Sequence, residues 1–332
     1  MRPFDGLRLG IIGTGSVALD HAQVAEALGA KVAAGSTRTL ASPRWAAFQA
    51  AHPDCEFDPE PEAMADRGDI DAIVLCLPWK VQDAWLDWGL SRQKPVLIEK
   101  PIALHAQDLH AGLARSGDTL SNKLVGYNRR YYETVARLKE RLAQGGLRAA
   151  DITISEEISG LVKRHGEDVP LYSMEHSSCH LIDVAISLFG GLSVVHMTRH
   201  AEKRGGIHFD CYNGMLETPG GVPVGFFNNA NDPSRVGIRC KFDDRTFWCL
   251  TPTEILTVYD GYDIIERTPE IQVRRYSPHE RDQWVEDATY RPGFLAQMRA
   301  FLSGDFGPGC PPNEAVQLLD LVGAIKATAK DI

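Results

Sequence analysis

Leu9-Gly10-Ile11-Ile12-Gly13-Thr14-Gly15-Ser16-Val17-Ala18 is the stretch whose reading decides the fold. The apolar run over residues 7–12, broken only by Arg8 and Gly10, predicts a buried strand, and the pattern over 17–28 predicts a helix. Between them stands Gly13-x-Gly15-x-x-Ala18, and a second strand is predicted over 31–35. In such a unit the first glycine makes the tight turn and the second lets backbone approach a pyrophosphate. The third small residue lets helix and strand pack. The phosphates then sit on the free N–H groups of the helix N-terminus, so Gly13, Gly15, Ser16 and Val17 are the expected contacts.

About 20 residues beyond the glycines, a dinucleotide fold reads the adenosine ribose. An Asp or Glu there accepts from both hydroxyls of NAD and repels a 2′-phosphate. Gly35-Ser36-Thr37-Arg38-Thr39 carries no acid. The Thr37 hydroxyl and the guanidinium fork of Arg38 suit a phosphate, which favours NADP over NAD; Arg38 stacked on the adenine of NAD is the competing reading.

The alternation continues. Residues 71–78 form a near-continuous apolar run, as in a parallel strand covered on both faces. A helix is predicted over 81–90, a strand over 95–98 and a helix over 106–114, then a strand over 123–126 and a helix over 133–143. Ligands of open α/β sheets lie beyond the carboxyl ends of the strands. Leu77 and Pro78 after one strand, and Glu99 and Lys100 after the next, are therefore aimed at the cofactor crevice. The predicted organisation is a Rossmann domain, a doubly wound parallel sheet over 1–126, followed by an α+β substrate domain over 127–332. Gly145-Gly146 ends the last helix of the alternating region.

Composition sets the outer bounds. A chain of 332 residues suits two domains, and 44% apolar with 24% charged residues is ordinary for a globular protein. The net charge of −9 argues against non-specific nucleic-acid binding and against an anionic membrane surface. No apolar run approaches the ~20 residues needed to span a bilayer. Met1-Arg2-Pro3-Phe4-Asp5 runs straight into the first strand, which predicts a cytoplasmic protein without a signal peptide. Seven cysteines, an odd number with no C-x-x-C pair, read as reduced core residues.

Three motifs then act together: Gly13-x-Gly15-x-x-Ala18, Glu99-Lys100-Pro101, and His180-Leu181-Ile182-Asp183 at the start of a helix. With Tyr127-Asn128-Arg129-Arg130-Tyr131, they resemble the glucose–fructose oxidoreductase/inositol dehydrogenase (Gfo/Idh/MocA) family, and their order covers nearly the whole chain. The resemblance implies a C-terminal domain built on a large, mostly antiparallel sheet with helices on one face. It also implies a homodimer or homotetramer formed through that sheet. Period-two segments agree, at 151–158, 193–199, 207–217, 222–229, 236–242, 246–250, 254–259 and 271–276, with closing helices near 292–302 and 313–329; these last helices are expected to pack back on the first domain.

Hydride transfer at a carbinol carbon needs a proton-exchanging group and a donor for the oxygen. By resemblance, the lysine of Glu-Lys-Pro pairs with a histidine at the position of His180. We expect Lys100 to polarise the oxygen and His180 to exchange the proton. Asp183, one turn on, orients His180 or contacts a substrate hydroxyl, with capping or an ion pair as the alternative. The expected activity is that of an NAD(P)-dependent oxidoreductase acting on a hydroxyl or keto carbon of a sugar, cyclitol or nucleotide-sugar derivative. Competing readings are a relative that uses bound NAD transiently, in glycoside cleavage or epimerisation, and a non-catalytic dinucleotide-binding regulator.

The chain also departs from the family pattern. His176 stands where many members have an aspartate, four residues before the histidine. Trp79 and Gln82 replace the usual Asn and His after the fourth strand. Glu175, Tyr172 and His176 are the candidates to replace the missing carboxylate. His176-x-x-Cys179-His180 has one zinc-like histidine pair but no further ligand cluster, so no metal is expected. A loop over 160–168 carries Lys163, Arg164 and His165; with Arg129 and Arg130 it suggests an anionic substrate, a solvated charged loop being the alternative. Trp79 is expected to stack on a sugar ring or the nicotinamide, packing between the domains being the equal alternative.

Overall fold

The computed structural model describes residues 3–332. In chain order the elements are β1 (Arg8–Ile12), α1 (Ser16–Leu28), β2 (Lys31–Ser36), α2 (Pro43–Ala51), β3 (Glu56–Phe57), α3 (Pro61–Asp66), β4 (Ala72–Leu75) and α4 (Trp79–Ser91). There follow β5 (Val96–Ile98), α5 (Ala106–Ser116), β6 (Lys123–Val125), α6 (Glu133–Ala143), β7 (Leu147–Glu156), α7 (Ile158–His165) and α8 (Cys179–Phe189). Then come β8 (Ser193–Arg204), β9 (Ile207–Glu217), β10 (Pro223–Ala230), β11 (Gly237–Phe242), β12 (Phe247–Leu250), β13 (Ile255–Ile265) and β14 (Arg275–Val285). The chain closes with α9 (Phe294–Ser303), α10 (Pro312–Thr328) and β15 (Lys330–Asp331).

These elements form two compact units, Met1–Tyr131 with Asp287–Asp320, and Tyr132–Glu286 with Leu321–Ile332. The first holds a six-stranded parallel sheet in the order β3-β2-β1-β4-β5-β6. Strand order reverses between β1 and β4, which makes the carboxyl end of β1 the topological switch point. Its core packs Leu9, Ile11, Val74 and Leu97 of the strands against Ala18, Ala22 and Ala25 of α1. The returning segment belongs to the same core: Phe294, Met298 and Phe301 of α9 are buried with them, and Val125 bridges to Cys310. Thus the first compact unit extends to Tyr131 and takes in Asp287–Asp320.

The second unit is a nine-stranded sheet, β14-β13-β12-β11-β7-β10-β9-β8-β15, antiparallel except at β7–β10 and β8–β15. One face carries Ile152, Leu216, Phe226, Ile238, Leu256 and Val258, all buried, and α6 and α8 pack on the sheet. The opposite face is polar, with an Asp151–Arg239 ion pair and an Asn213–Asn229 hydrogen bond. The strands expected at 254–259 and 271–276 correspond to a longer hairpin, since β13 runs to Ile265 and β14 spans Arg275–Val285. Its outer half is exposed on both faces, so no apolar alternation marks it in the sequence.

The segment expected as a loop over 160–168 is instead α7 through His165. The Glu157 carboxylate caps it by accepting the Gly160 N–H at 2.6 Å, and Gly166 ends it. Lys163, Arg164 and His165 fall in its last turn, where cations meet the negative end of the helix dipole. Among the described residues no disulfide joins the seven cysteines, and no helix is long and apolar enough to cross a membrane.

Candidate functional site

The switch point is built by backbone geometry. Gly13 adopts φ +89°, and a Cβ there would overlap the Cys76 carbonyl oxygen at the end of β4. The Gly13 N–H donates to Ser36 O at 2.8 Å and the Cys76 N–H to Ile12 O at 2.7 Å, so the turn is pinned to both neighbouring strands. Gly15 caps α1 in an extended conformation, and among the described residues no atom lies within 4 Å of the position its Cβ would take. Ala18 is wholly buried, as the helix–strand packing position requires.

A pyrophosphate fits this cradle. The first N–H groups of a helix, here those of Ser16 and Val17, have no partner within the helix, and the first turn of α1 carries no acid to repel an anion. The buried Thr14 hydroxyl lacks a partner among the described residues. Beside the cradle, β2 ends at the buried Ser36; Thr37 is half-buried and Arg38 exposed. Leu77 and Pro78 lie just past β4, and Pro78 caps α4. Trp79, first in that helix, is buried, with the Lys80 ammonium 5.3 Å from its ring centre.

Glu99, Lys100 and Pro101 follow β5 at the same edge of the sheet, with the Lys100–Pro101 peptide cis. Glu99 is buried and its Oε1 lies 2.7 Å from Nε2 of the buried His21 on α1. Sequence reading passed over His21, because nothing in its local spacing separates it from an ordinary core position. Gln82 is likewise buried, its amide nitrogen 3.5 Å from the Glu99 carbonyl oxygen. After β6, Arg130 is buried and ion-paired with Glu314 at 2.7 Å, which gives it an internal role in place of the anion-binding one suggested above. Asn128 donates to Pro292 O at 2.9 Å, and Arg129 is half-buried.

The second unit gathers the remaining candidates around the start of α8. A π-helical turn, Met174–Ser178, leads into the helix; such turns are frequent at functional sites. His180 is half-buried and Asp183 fully buried three residues on. Of the residues proposed to replace the absent aspartate, Glu175 is held by Lys326 at 2.6 Å, and the same ammonium lies 6.0 Å from the Tyr172 ring centre. The buried His176 meets the His165 ring edge-on at 4.6 Å, and its Nδ1 lies 2.8 Å from Ser177 Oγ. The Lys326 partnership spans 151 residues and carries no local sequence signal. Lys163 and Arg164 are exposed on α7. Among the described residues no group of three or more His, Cys, Asp or Glu side chains could hold a metal ion.

Thus one unit brings together Gly13, Gly15, Ser16, Val17, Thr37, Arg38, Leu77, Pro78, Glu99 and Lys100 along a single sheet edge. The other gathers Tyr172, His176, His180 and Asp183 in consecutive turns.

Residues 7–119 match the GFO_IDH_MocA family, described as an oxidoreductase family with an NAD-binding Rossmann fold. The chain is 33% identical over 167 residues to a dTDP-3,4-didehydro-2,6-dideoxy-alpha-D-glucose 3-reductase of Streptomyces antibioticus, covering 48% of this chain and 50% of that one. It is 28% identical over 225 residues to an inositol 2-dehydrogenase of Mycolicibacterium smegmatis, covering 66% and 64%. The chain therefore spans about half the length of the first relative and under two-thirds of the second. A 3-ketoreductase from Actinomadura kijaniata, crystallised with NADP, superposes with TM-score 0.67 at 19% identity over 99% of both chains. A UDP-N-acetylglucosamine 3-dehydrogenase from Acidithiobacillus ferrooxidans does so with TM-score 0.74 at 15% identity over 98% of both. At such identities the likeness is one of fold.

Proposed function

We propose that this chain, which matches the Gfo/Idh/MocA family of NAD-binding oxidoreductases over residues 7–119, oxidises or reduces a hydroxyl or keto carbon of a sugar, cyclitol or nucleotide-sugar derivative. The observation that carries the reading is the placement of Lys100 past β5, on the sheet edge that holds the Gly13–Gly15 cradle. When bound, a nicotinamide dinucleotide supplies or accepts the hydride. The amides of Gly15, Ser16 and Val17 would hold its pyrophosphate, with Gly13, whose own N–H is taken by Ser36 O, shaping the turn behind them, and Leu77 and Pro78 would line its path. Lys100 donates from Nζ to the substrate oxygen and stabilises the negative charge that develops there. His180 exchanges the hydroxyl proton, an imidazole being the side chain that takes up and releases protons near neutrality. Asp183 orients the imidazole.

The names of the relatives support the substrate class: two act on nucleotide-linked sugars and one on a cyclitol. Locally basic Lys163 and Arg164, with Arg129, would favour an anionic form of it, such as a nucleotide-sugar or sugar acid. Trp79, Tyr172 and His176 complete the proposed substrate contacts. The test is a screen at 340 nm across nucleotide-sugars, sugar acids and cyclitols. A cofactor-dependent absorbance change with at least one is expected, and binding of a dinucleotide without turnover of any would overturn the reading.

Thr37 and Arg38, with no acid beside them, support NADP over NAD. Removing a guanidinium fork from a phosphate loses about 1.5–3 kcal/mol, or roughly 10–100-fold in affinity. Arg38→Ala is expected to weaken NADP by that factor while NAD changes less than about threefold. Titration of protein fluorescence with each dinucleotide checks this; tighter NAD binding in the unaltered protein would contradict it. For assembly, Met215 and Phe227 are exposed on the polar face of the nine-stranded sheet and support a homodimer or homotetramer formed there, measurable by light scattering.

A further inference from the structure

Glu99 is enclosed from three sides. β5 delivers it to the edge of the sheet, where it is 7% exposed. From α1, the fully buried His21 places Nε2 2.7 Å from Oε1. From the end of β6, Gly126 closes the third side: a Cβ there would lie 2.9 Å from the Glu99 carboxyl carbon, so only a glycine leaves the carboxyl its room. The second carboxyl oxygen, Oε2, accepts the backbone N–H of Lys100 at 3.1 Å.

The surroundings of His21 decide which ring nitrogen donates. Its ring packs 4.7 Å from that of Phe294, and Nδ1 is buried with no partner among the described residues. Nε2 faces the carboxylate and Nδ1 has no acceptor, so the ring proton that this network uses is the one on Nε2. His21 is therefore assigned as a donor from Nε2 to the Glu99 carboxylate.

We infer that His21 and Glu99 are positioning residues for Lys100. The carboxylate is held by an imidazole on one oxygen and holds the Lys100 amide with the other, which fixes the direction in which the lysine side chain leaves the backbone. The helix whose N-terminus forms the phosphate cradle also carries this imidazole, five residues on from Ser16. One rigid element thus sets both the phosphate contact and the aim of the lysine. The inference rests on Lys100 being the group that meets the substrate oxygen.

Two substitutions separate this role from simple packing. His21→Gln keeps an N–H donor near the position of Nε2, whereas His21→Leu fills similar space without one. For His21→Leu, kcat is expected to fall at least ~10-fold, with the dinucleotide Kd changed less than about threefold, because a lysine ~1 Å out of place loses rate more than cofactor binding. For His21→Gln most of the rate returns. Deuterium exchange of the peptide spanning residues 96–104 supplies a readout that needs no turnover: faster exchange at Lys100 in His21→Leu, and near-normal exchange in His21→Gln. Unchanged exchange in a folded His21→Leu protein, or equal losses of rate in both variants, would overturn the inference. Should the unaltered protein turn over no substrate, the exchange result still decides whether the pair holds the Lys100 backbone.

Discussion

Replacing Lys100 by methionine is expected to lower turnover by about 10²–10³-fold while leaving dinucleotide affinity within about threefold of normal. Methionine keeps most of the side chain's length and apolar contact but removes the ammonium. A preorganised donor aimed at a developing oxyanion contributes about 3–4 kcal/mol to the transition state and little to the ground state, so the loss falls on kcat rather than KM. Lys100→Arg keeps the charge on a planar, bulkier fork and is expected to recover only part of the rate. Steady-state kinetics on a substrate found by the screen, paired with fluorescence titration of the dinucleotide, make the measurement. A Lys100→Met protein with an unaltered rate would remove the lysine from the mechanism and leave the site as a binding module.

The second large effect separates the two glycines of the cradle. Gly13→Ala places a Cβ into the Cys76 carbonyl and demands φ +89° of a residue with a side chain. The opposing atom belongs to backbone pinned by β4, so no rotamer change relieves the overlap. Left-handed strain and overpacking each cost about 1–3 kcal/mol, so thermal denaturation should show a loss of at least ~2 kcal/mol, with dinucleotide binding lost alongside. Gly15→Ala is expected to behave differently. Its φ of −78° is ordinary, and the added Cβ meets no protein atom. Stability should stay within ~0.5 kcal/mol. Affinity for the dinucleotide should nevertheless fall at least ~10-fold, because that volume is where backbone approaches the pyrophosphate. A Gly15→Ala protein that binds dinucleotide normally would place the phosphates elsewhere.

Gly13 answers to the fold, through Cys76, whereas the proposed demand on Gly15 comes from the ligand. Glu99 joins the two demands, since His21 and Gly126 enclose its carboxyl while Lys100 hangs from its other oxygen. In the second unit, Glu175, five residues before His180, is held by the Lys326 ammonium at 2.6 Å.

Much of this was legible in the residues alone, wherever the physical cause is local. β1, β4 and β5 announce themselves because strands buried on both faces are continuously apolar. The cradle does so because tight turns and backbone–phosphate approach both require glycine. Several strands of the second unit were equally visible, since a sheet with one covered face alternates. Where neither cause operates the reading failed. The outer halves of β13 and β14 have no buried face, β3 is two residues long, and α7 depends on a cap from Glu157 that a charged segment does not advertise.

By itself, then, the sequence determined the kind of fold, the glycine cradle and the position of Lys100 past a strand, because each follows from chemistry within a few neighbouring residues. Only the tertiary structure decided what the polar side chains do. Arg130 is taken by Glu314, Glu175 by Lys326, and Glu99 by His21, partners 184, 151 and 78 residues apart. No local period links such pairs; they meet because the packing of helices on strands brings their backbones within reach, and burial then leaves each charge no better partner.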